Sequence, residues 1–229
     1  MKSAADMKLA RLLQLASPIL PVGAYSYSQG LESAVAAGAV GDLETAHCWI
    51  GDLLEYSVGH IEPPLLSRLI ASWTAQDFTL AVQWNALFLA SRETSELRAE
   101  TLQMGYSLRK LVMELEEADE KALAHLARLE EISFPAAFAF AAAQWKVPAQ
   151  PAVVAYLWAW LEGQVTAAVK LVPLGQTDGQ WMLFALGDRL LPIAERAASM
   201  SNDDIGGFAP GLAIFSSRHE TQYSRLFRS

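Results

Sequence analysis

The sequence predicts an all-α protein, and three observations carry that prediction. The stretch from Ala152 to Val172, AVVAYLWAWLEGQVTAAVKLV, is apolar and Ala-rich and shows no alternation of polar with apolar residues. Elsewhere apolar residues recur at helical spacing, as Leu9, Leu12, Leu13 and Ala16 do. Between such segments stand helix breakers and caps, among them Ser17-Pro18, Gly41-Asp42, Phe134-Pro135 and Val147-Pro148. The expected architecture is a single helical domain over residues 1–229, with roughly eight to ten helices around a buried apolar one.

The Ala152–Val172 helix would span roughly 30 Å. Ala155, Ala159, Gly163 and Ala167 fall four apart and make a face on which another helix can come close. Glu162, Thr166 and Lys170 form a narrow polar line beside it. A helix this apolar is buried on most sides. Glu162, Gly163, Gln164 and Lys170 interrupt it too early for a membrane span of about twenty apolar residues, so no membrane partner is expected.

From the N-terminus, Lys8 to Ala16 reads as a short amphipathic helix that Ser17-Pro18 ends. Pro18 to Gly23 is a stiff connector with a turn at Gly23. Ala24 to Glu32 is dense in hydroxyls and aromatics, suited to a packed turn capped by Ser or to a partner contact. Asp42 caps the next helix, with Glu44 in its first turn. Glu62-Pro63-Pro64 is expected to break the chain before helices at 65–75, 77–89 and 91–113. On the last of these, Arg92, Glu93, Glu96, Arg98 and Glu100 are expected on the solvent side, and Gly105 at a point of close packing. Residues 114–131 carry seven acidic and two basic residues and read as a solvated loop leading into a helix. Phe134 to Trp145 is an apolar helix, and Trp181 to Met200 is another with an irregularity near Pro192.

Composition excludes several classes of function. A formal charge of -8 opposes nucleic-acid binding. One cysteine rules out an internal disulfide framework. With only 18% charged residues and seven Trp, the chain has either an unusually large core or apolar surface that partners cover. The N-terminal MKSAADMKLARLLQL lacks the pattern of a secretory signal, so cytoplasmic placement is the expectation. His47, Cys48 and His60 are spaced wrongly for a helical ligand set, and His125 stands alone, so no metal site is expected. Nothing resembles a zinc-protease HExxH, a nucleophile elbow, a phosphate loop or a redox CxxC. The residues favour binding over catalysis, the alternative being a helical enzyme with a composite active site that no motif marks.

Three segments share a further property. LLQLASPILPVGAYSYSQGLESAV from residue 12, GQVTAAVKLVPLGQTDGQ at 163–180 and SSRHETQYSRLFRS at 216–229 together resemble the urease accessory protein UreF family. The resemblance extends to the last residue and is weakest in the middle. It implies a mostly α-helical, non-enzymatic protein that acts in maturation of nickel-dependent urease. Such a protein bridges UreD (also called UreH) and the GTPase UreG, in a complex that delivers nickel to the urease apoprotein. It also implies a homodimer. Nickel binding and GTP then belong to the wider complex, and no cofactor is expected of this chain itself.

The resemblance also implies roles for particular residues. Tyr25, with Ser26 beside it, matches a functionally implicated tyrosine in the segment Pro21 to Tyr25. Lys170 matches a basic residue implicated in the fidelity of urease activation, and Glu162 lies on the same line two turns away. Arg225-Leu226-Phe227 matches a terminal arginine-containing segment implicated in assembling the UreG-binding complex, and Arg218-His219-Glu220 with Gln222-Tyr223 match the pattern before it. His219 reads as a hydrogen-bonding or interface residue, since one His beside one Glu is a weak ligand set. Three arginines and two aromatics suit the tail at 216–229 to an interface. Such a tail is expected to be poorly ordered alone and ordered when UreD binds.

Overall fold

Local cap chemistry starts many of the helices. Asp42, Asp77, Thr94, Asp119 and Ser133 each accept a hydrogen bond from a backbone N–H in the first turn that follows. The computed structural model describes residues 4–115, 118–207 and 209–229. Glu116 and Glu117, in the acidic run, and Met1 to Ser3, in the N-terminal reading, lie outside them. The described residues contain helices and no strand. In order these are α1 (Ala4–Leu15), a 3₁₀ turn (Ala24–Ser26), α2 (Leu31–Ala36), α3 (Leu43–Leu53), α4 (Gly59–Thr74), α5 (Phe78–Ala90) and α6 (Ser95–Glu114). They continue with α7 (Glu120–Arg128), α8 (Phe134–Gln144), α9 (Ala149–Leu171), α10 (Gln176–Gly187), α11 (Leu190–Ser199) and α12 (Pro210–His219).

The fold is all-α around a buried apolar helix, as expected. Helix α9 packs against α1, α2, α3, α4, α8, α10 and α11. By length and composition it could cross a membrane, but 61% of its most apolar window is buried inside the protein, as befits a core helix. Helix α8 is buried more completely still, with every residue from Phe134 to Ala142 inside. Its N-terminus is fixed from two sides. Asn85 of α5 accepts from Ser133 N (2.9 Å) and donates to the Glu131 carbonyl (3.0 Å), while Thr101 of α6 accepts from Phe134 N (2.9 Å). Gly105 makes this approach possible, because a Cβ there would lie 2.2 Å from the Ile132 carbonyl oxygen.

Four sequence readings are corrected by the packing. First, Glu62-Pro63-Pro64 does not break the chain and lies inside α4. The irregularity sits one turn earlier, as a π turn at Leu54–Val58 that joins α3 to α4. Pro63 and Pro64 supply no amide hydrogen to the carbonyls four residues before them, and the wider turn just upstream requires a glycine at 59, where a Cβ would fall 2.4 Å from the Leu54 carbonyl oxygen. Second, the interruption near Pro192 appears at Asp188–Arg189, between α10 and α11, because a proline leaves the carbonyl four residues before it without a donor. Third, the small-residue face of α9 does not receive a helix at Gly163, where a Cβ would meet nothing within 4 Å. Fourth, Glu100 is buried, and Arg92 and Glu96 are largely so. Partners far away in sequence turn that side of α6 inward.

Candidate partner-binding site

The loop before α2 and the chain after α12 lie side by side. Gly23 (φ 77°) and Gly30 (φ 79°) occupy the left-handed region at the two ends of the loop. Gly30 also lets α12 approach, since a Cβ there would stand 3.0 Å from Ser216 N. Arg228 N donates to the Ser26 carbonyl (2.8 Å), and Ser28 donates to the Ser229 carbonyl through both its N–H (2.7 Å) and its hydroxyl (2.6 Å). The tail is therefore docked in the single chain, contrary to the mobile tail the sequence suggests. Buried anchors explain the difference.

The principal anchor is His219, which is wholly buried. Its Nδ1 lies 2.7 Å from Glu96 Oε2 on α6, and its Nε2 lies 3.2 Å from Glu32 Oε2 on α2. Each ring nitrogen therefore faces a carboxylate oxygen from a different helix. The two carboxylates then hold the tail. Glu32 accepts from Leu226 N (2.7 Å) and Phe227 N (2.8 Å), and Glu96 accepts from Arg225 (2.7 Å). Each backbone N–H to carboxylate bond is charge-assisted. Glu220 caps the start of α6, accepting from Ser95 N (3.0 Å) and the Ser95 hydroxyl (2.6 Å), which holds its carboxyl below the usual range. Phe227 enters the main core, and Lys170 Nζ lies 5.7 Å from its ring centroid.

Behind the loop and the tail lies a cavity of about 150 Å³ between α1, the loop, α6 and α9. At its polar side Glu62 pairs with Arg92 (2.9 Å) and accepts from the Tyr156 hydroxyl (2.5 Å). Burial beside Glu62 pushes the Tyr156 hydroxyl well above the ordinary tyrosine range. Glu100 accepts from Gln29 (2.7 Å) and from the Ser229 hydroxyl (2.8 Å), and burial pushes its carboxyl up to about 7. Trp160 Nε1 donates to the other end of the Gln29 amide (2.8 Å).

The structure brings most of the residues singled out from the sequence into one region but gives them different environments. Tyr25 is 69% exposed at the cavity's edge, and Ser26 is half-buried under Arg228. Tyr223 is fully exposed. Arg218 is exposed beside the Phe215 ring, and Gln222 is half-buried, donating to the Ser224 carbonyl. His219 and Phe227 are interior anchors. Glu162 and Lys170 separate. The first lines the cavity, where partial burial lifts its carboxyl above the usual range, and the second lies at the tail. His47 packs on Trp181 and His125 stacks on Phe78. Among the described residues no three His, Cys, Asp or Glu side chains converge as a metal ion would need.

Glu32, Glu96, Glu100, Gln29 and Gln103 are parts of this polar network that the sequence reading did not single out. The available signal was the helical spacing of Glu96, Glu100 and Gln103 on one face of α6, of which Glu96 and Glu100 are read from the sequence as solvent-facing. Gln103 accepts from the Tyr27 hydroxyl (3.1 Å) and from Arg228 (3.3 Å), which ties loop, helix and tail together.

The chain matches the family model UreF over residues 40–187, from just before α3 to the end of α10. Relatives match almost its whole length. "Urease accessory protein UreF" of Azoarcus sp. (strain BH72) is 54% identical over 225 residues, covering 97% of this chain and 96% of the relative. The protein of the same description from Dechloromonas aromatica (strain RCB) is 49% identical over 224 residues, with 97% and 98% covered. That of Janthinobacterium sp. (strain Marseille) is 46% identical over 221 residues, with 96% and 98% covered. Similarity of this extent, reaching both the loop and the tail that form the site, shows that the chain belongs to the UreF family.

Proposed function

We propose that this chain is a non-enzymatic urease accessory protein of the cytoplasm. As a homodimer it bridges UreD/UreH and the GTPase UreG while nickel is inserted into the urease apoprotein. In this reading nickel and GTP are handled by the assembled complex, and the chain contributes contact surface. The observation that carries it is the pairing of loop and tail. Hydrogen bonds between Ser26 and Arg228 and between Ser28 and Ser229 hold the two segments together while Tyr25, Tyr223 and Leu226 stay outside. Aromatic area beside Arg218 and Arg225 has the composition of a binding hot spot. Tyr25, Arg218, Tyr223 and Arg225 are the contact residues of this reading. Ser26, His219, Glu220, Gln222 and Phe227 fix their positions, Lys170 steadies the tail from α9, and Glu162 borders the cavity opening.

Deleting 216–229 is a poor test, because it removes core and cap contacts along with surface. Substitution of Tyr223→Ala and Leu226→Asp together changes only exposed side chains. With purified UreD and GTP-loaded UreG in a pull-down, the double variant is expected to recruit UreD at least about tenfold more weakly, and UreG in consequence. Circular dichroism should match that of the wild type. Recruitment of both partners at wild-type concentrations would overturn the proposed surface.

A further inference from the structure

The cavity beside α9 has apolar walls, including Leu15, Val22, Met104 and Phe134, and an opening at Pro18, Tyr25 and Thr166. At about 150 Å³ it is close in size to the engineered cavity of ~150 Å³ that admits benzene. Its polar end, however, is not balanced. The two oxygens of Glu62 are used by Arg92 and Tyr156, and its charge is matched. The hydrogen-bond donors to Glu100, Gln29 and Ser229, are both neutral. Gln164 is 3% exposed and lines the cavity, and its Oε1 has no hydrogen-bond partner. An unpaired buried oxygen of this kind carries a desolvation penalty that a bound donor would relieve. Among the described residues that line the cavity, the buried donor without a partner is Arg92 Nε, whose guanidinium already pairs with Glu62 and covers the Phe88 ring at 4.3 Å. An acceptor without a donor, and a carboxylate without a cation of its own, call for a positively charged donor. Three converging metal ligands are lacking among the described residues, so the fitting cation is organic.

We propose that this cavity binds a protonated amine or guanidinium carried on a short apolar stem, the head directed to Gln164 and Glu100 and the stem against Leu15, Val22 and Met104. A free alkylamine and the side chain of a Lys or Arg from a bound protein share this chemistry.

The experiment is a titration of the full-length ¹⁵N-labelled protein with n-butylammonium chloride, n-butanol or sodium butyrate. Side-chain amide signals of Gln164 and Gln29 and the indole signal of Trp160 are the reporters. n-Butylammonium is expected to bind at least about tenfold more tightly than the alcohol, and butyrate more weakly than either. The preference should be several-fold greater at pH 8, with Glu100 ionised, than at pH 5.5; Glu62, Arg92 and Glu162 are the other charged groups at the cavity. Gln164→Leu and Glu100→Gln should each remove most of the preference for the amine. If Glu100→Gln fails to fold, Gln164→Leu alone decides. A parallel titration with N-acetyl-lysine amide separates the sources: binding at least as tight as the simple amine assigns the cavity to a protein side chain, and exclusion assigns it to a free amine. Equal binding of alcohol and amine, or shifts that Gln164→Leu leaves unchanged, would overturn the proposal and leave a cavity with no preference for a cation.

Discussion

Glu100 shows how a single residue couples this interior to pH. Burial raises its carboxyl from 4.5 to about 7, against the hydrogen bonds of Gln29 and Ser229 that favour the charged form. The folded value lies above the unfolded one, so the folded state holds this proton longer as pH rises. The associated stability is complete below about 4.5 and is lost as pH passes through about 7, a change of about 3 kcal/mol. Glu100→Gln should remove that loss. Urea denaturation at pH 5 and pH 8 is expected to show a smaller drop for the variant than for the wild type, and equal drops would contradict it. His219 sets a second expectation. His219→Ala leaves the Glu32 and Glu96 oxygens that face the ring without that partner, so it should cost about 3 kcal/mol. Hydrogen exchange should then show Leu226 and Phe227 losing protection before the helices do. Uniform loss across the protein would contradict the anchoring role.

At the scale of elements, the sequence was most legible where the chemistry is local. Asp42 caps α3, and Gly105 permits a close approach, because each effect involves neighbours or backbone reach. Gly105→Ala should destabilise by at least about 2 kcal/mol through collision with the Ile132 carbonyl. Gly163→Ala, facing open space on α9, should instead stabilise by about 0.5–1 kcal/mol. Thermal melts of the two variants measure the contrast, and a similar shift in both would refute it. The π turn was illegible because its signs, a glycine and two prolines, are equally those of a break. The inward side of α6 was illegible for another reason. Glu96 and Glu100 are charged residues at helical spacing, and what buries them arrives from residues 29, 32, 219 and 229.

Across the whole molecule, the single domain and its apolar central helix could be read from composition and period, since burying so many apolar residues leaves few other arrangements. Composition suits the tail at 216–229 to an interface, and the names of the proposed partners come from the resemblance alone. Trp181, Phe184 and Leu191 are exposed on α10 and α11, away from the polar network of the tail. If the proposed homodimer forms through these residues, Phe184→Asp should shift sedimentation at micromolar concentration from dimer to monomer. An unchanged dimer would place the contact elsewhere.

The closure of His219 against Glu32 spans 187 residues and that of Ser28 against Ser229 spans 201. Contacts so distant in sequence form late, because a long loop must be closed before they contribute. On the ribosome, α2 and α6 emerge well before His219, the residue that bridges their carboxylates. The segment after α12 is thus the one that seals the loop before α2. Pulse-labelled exchange during refolding is expected to find the Leu226 and Phe227 amides protected after those of α8. Protection of both sets in one step would show that the corner closes together with the core.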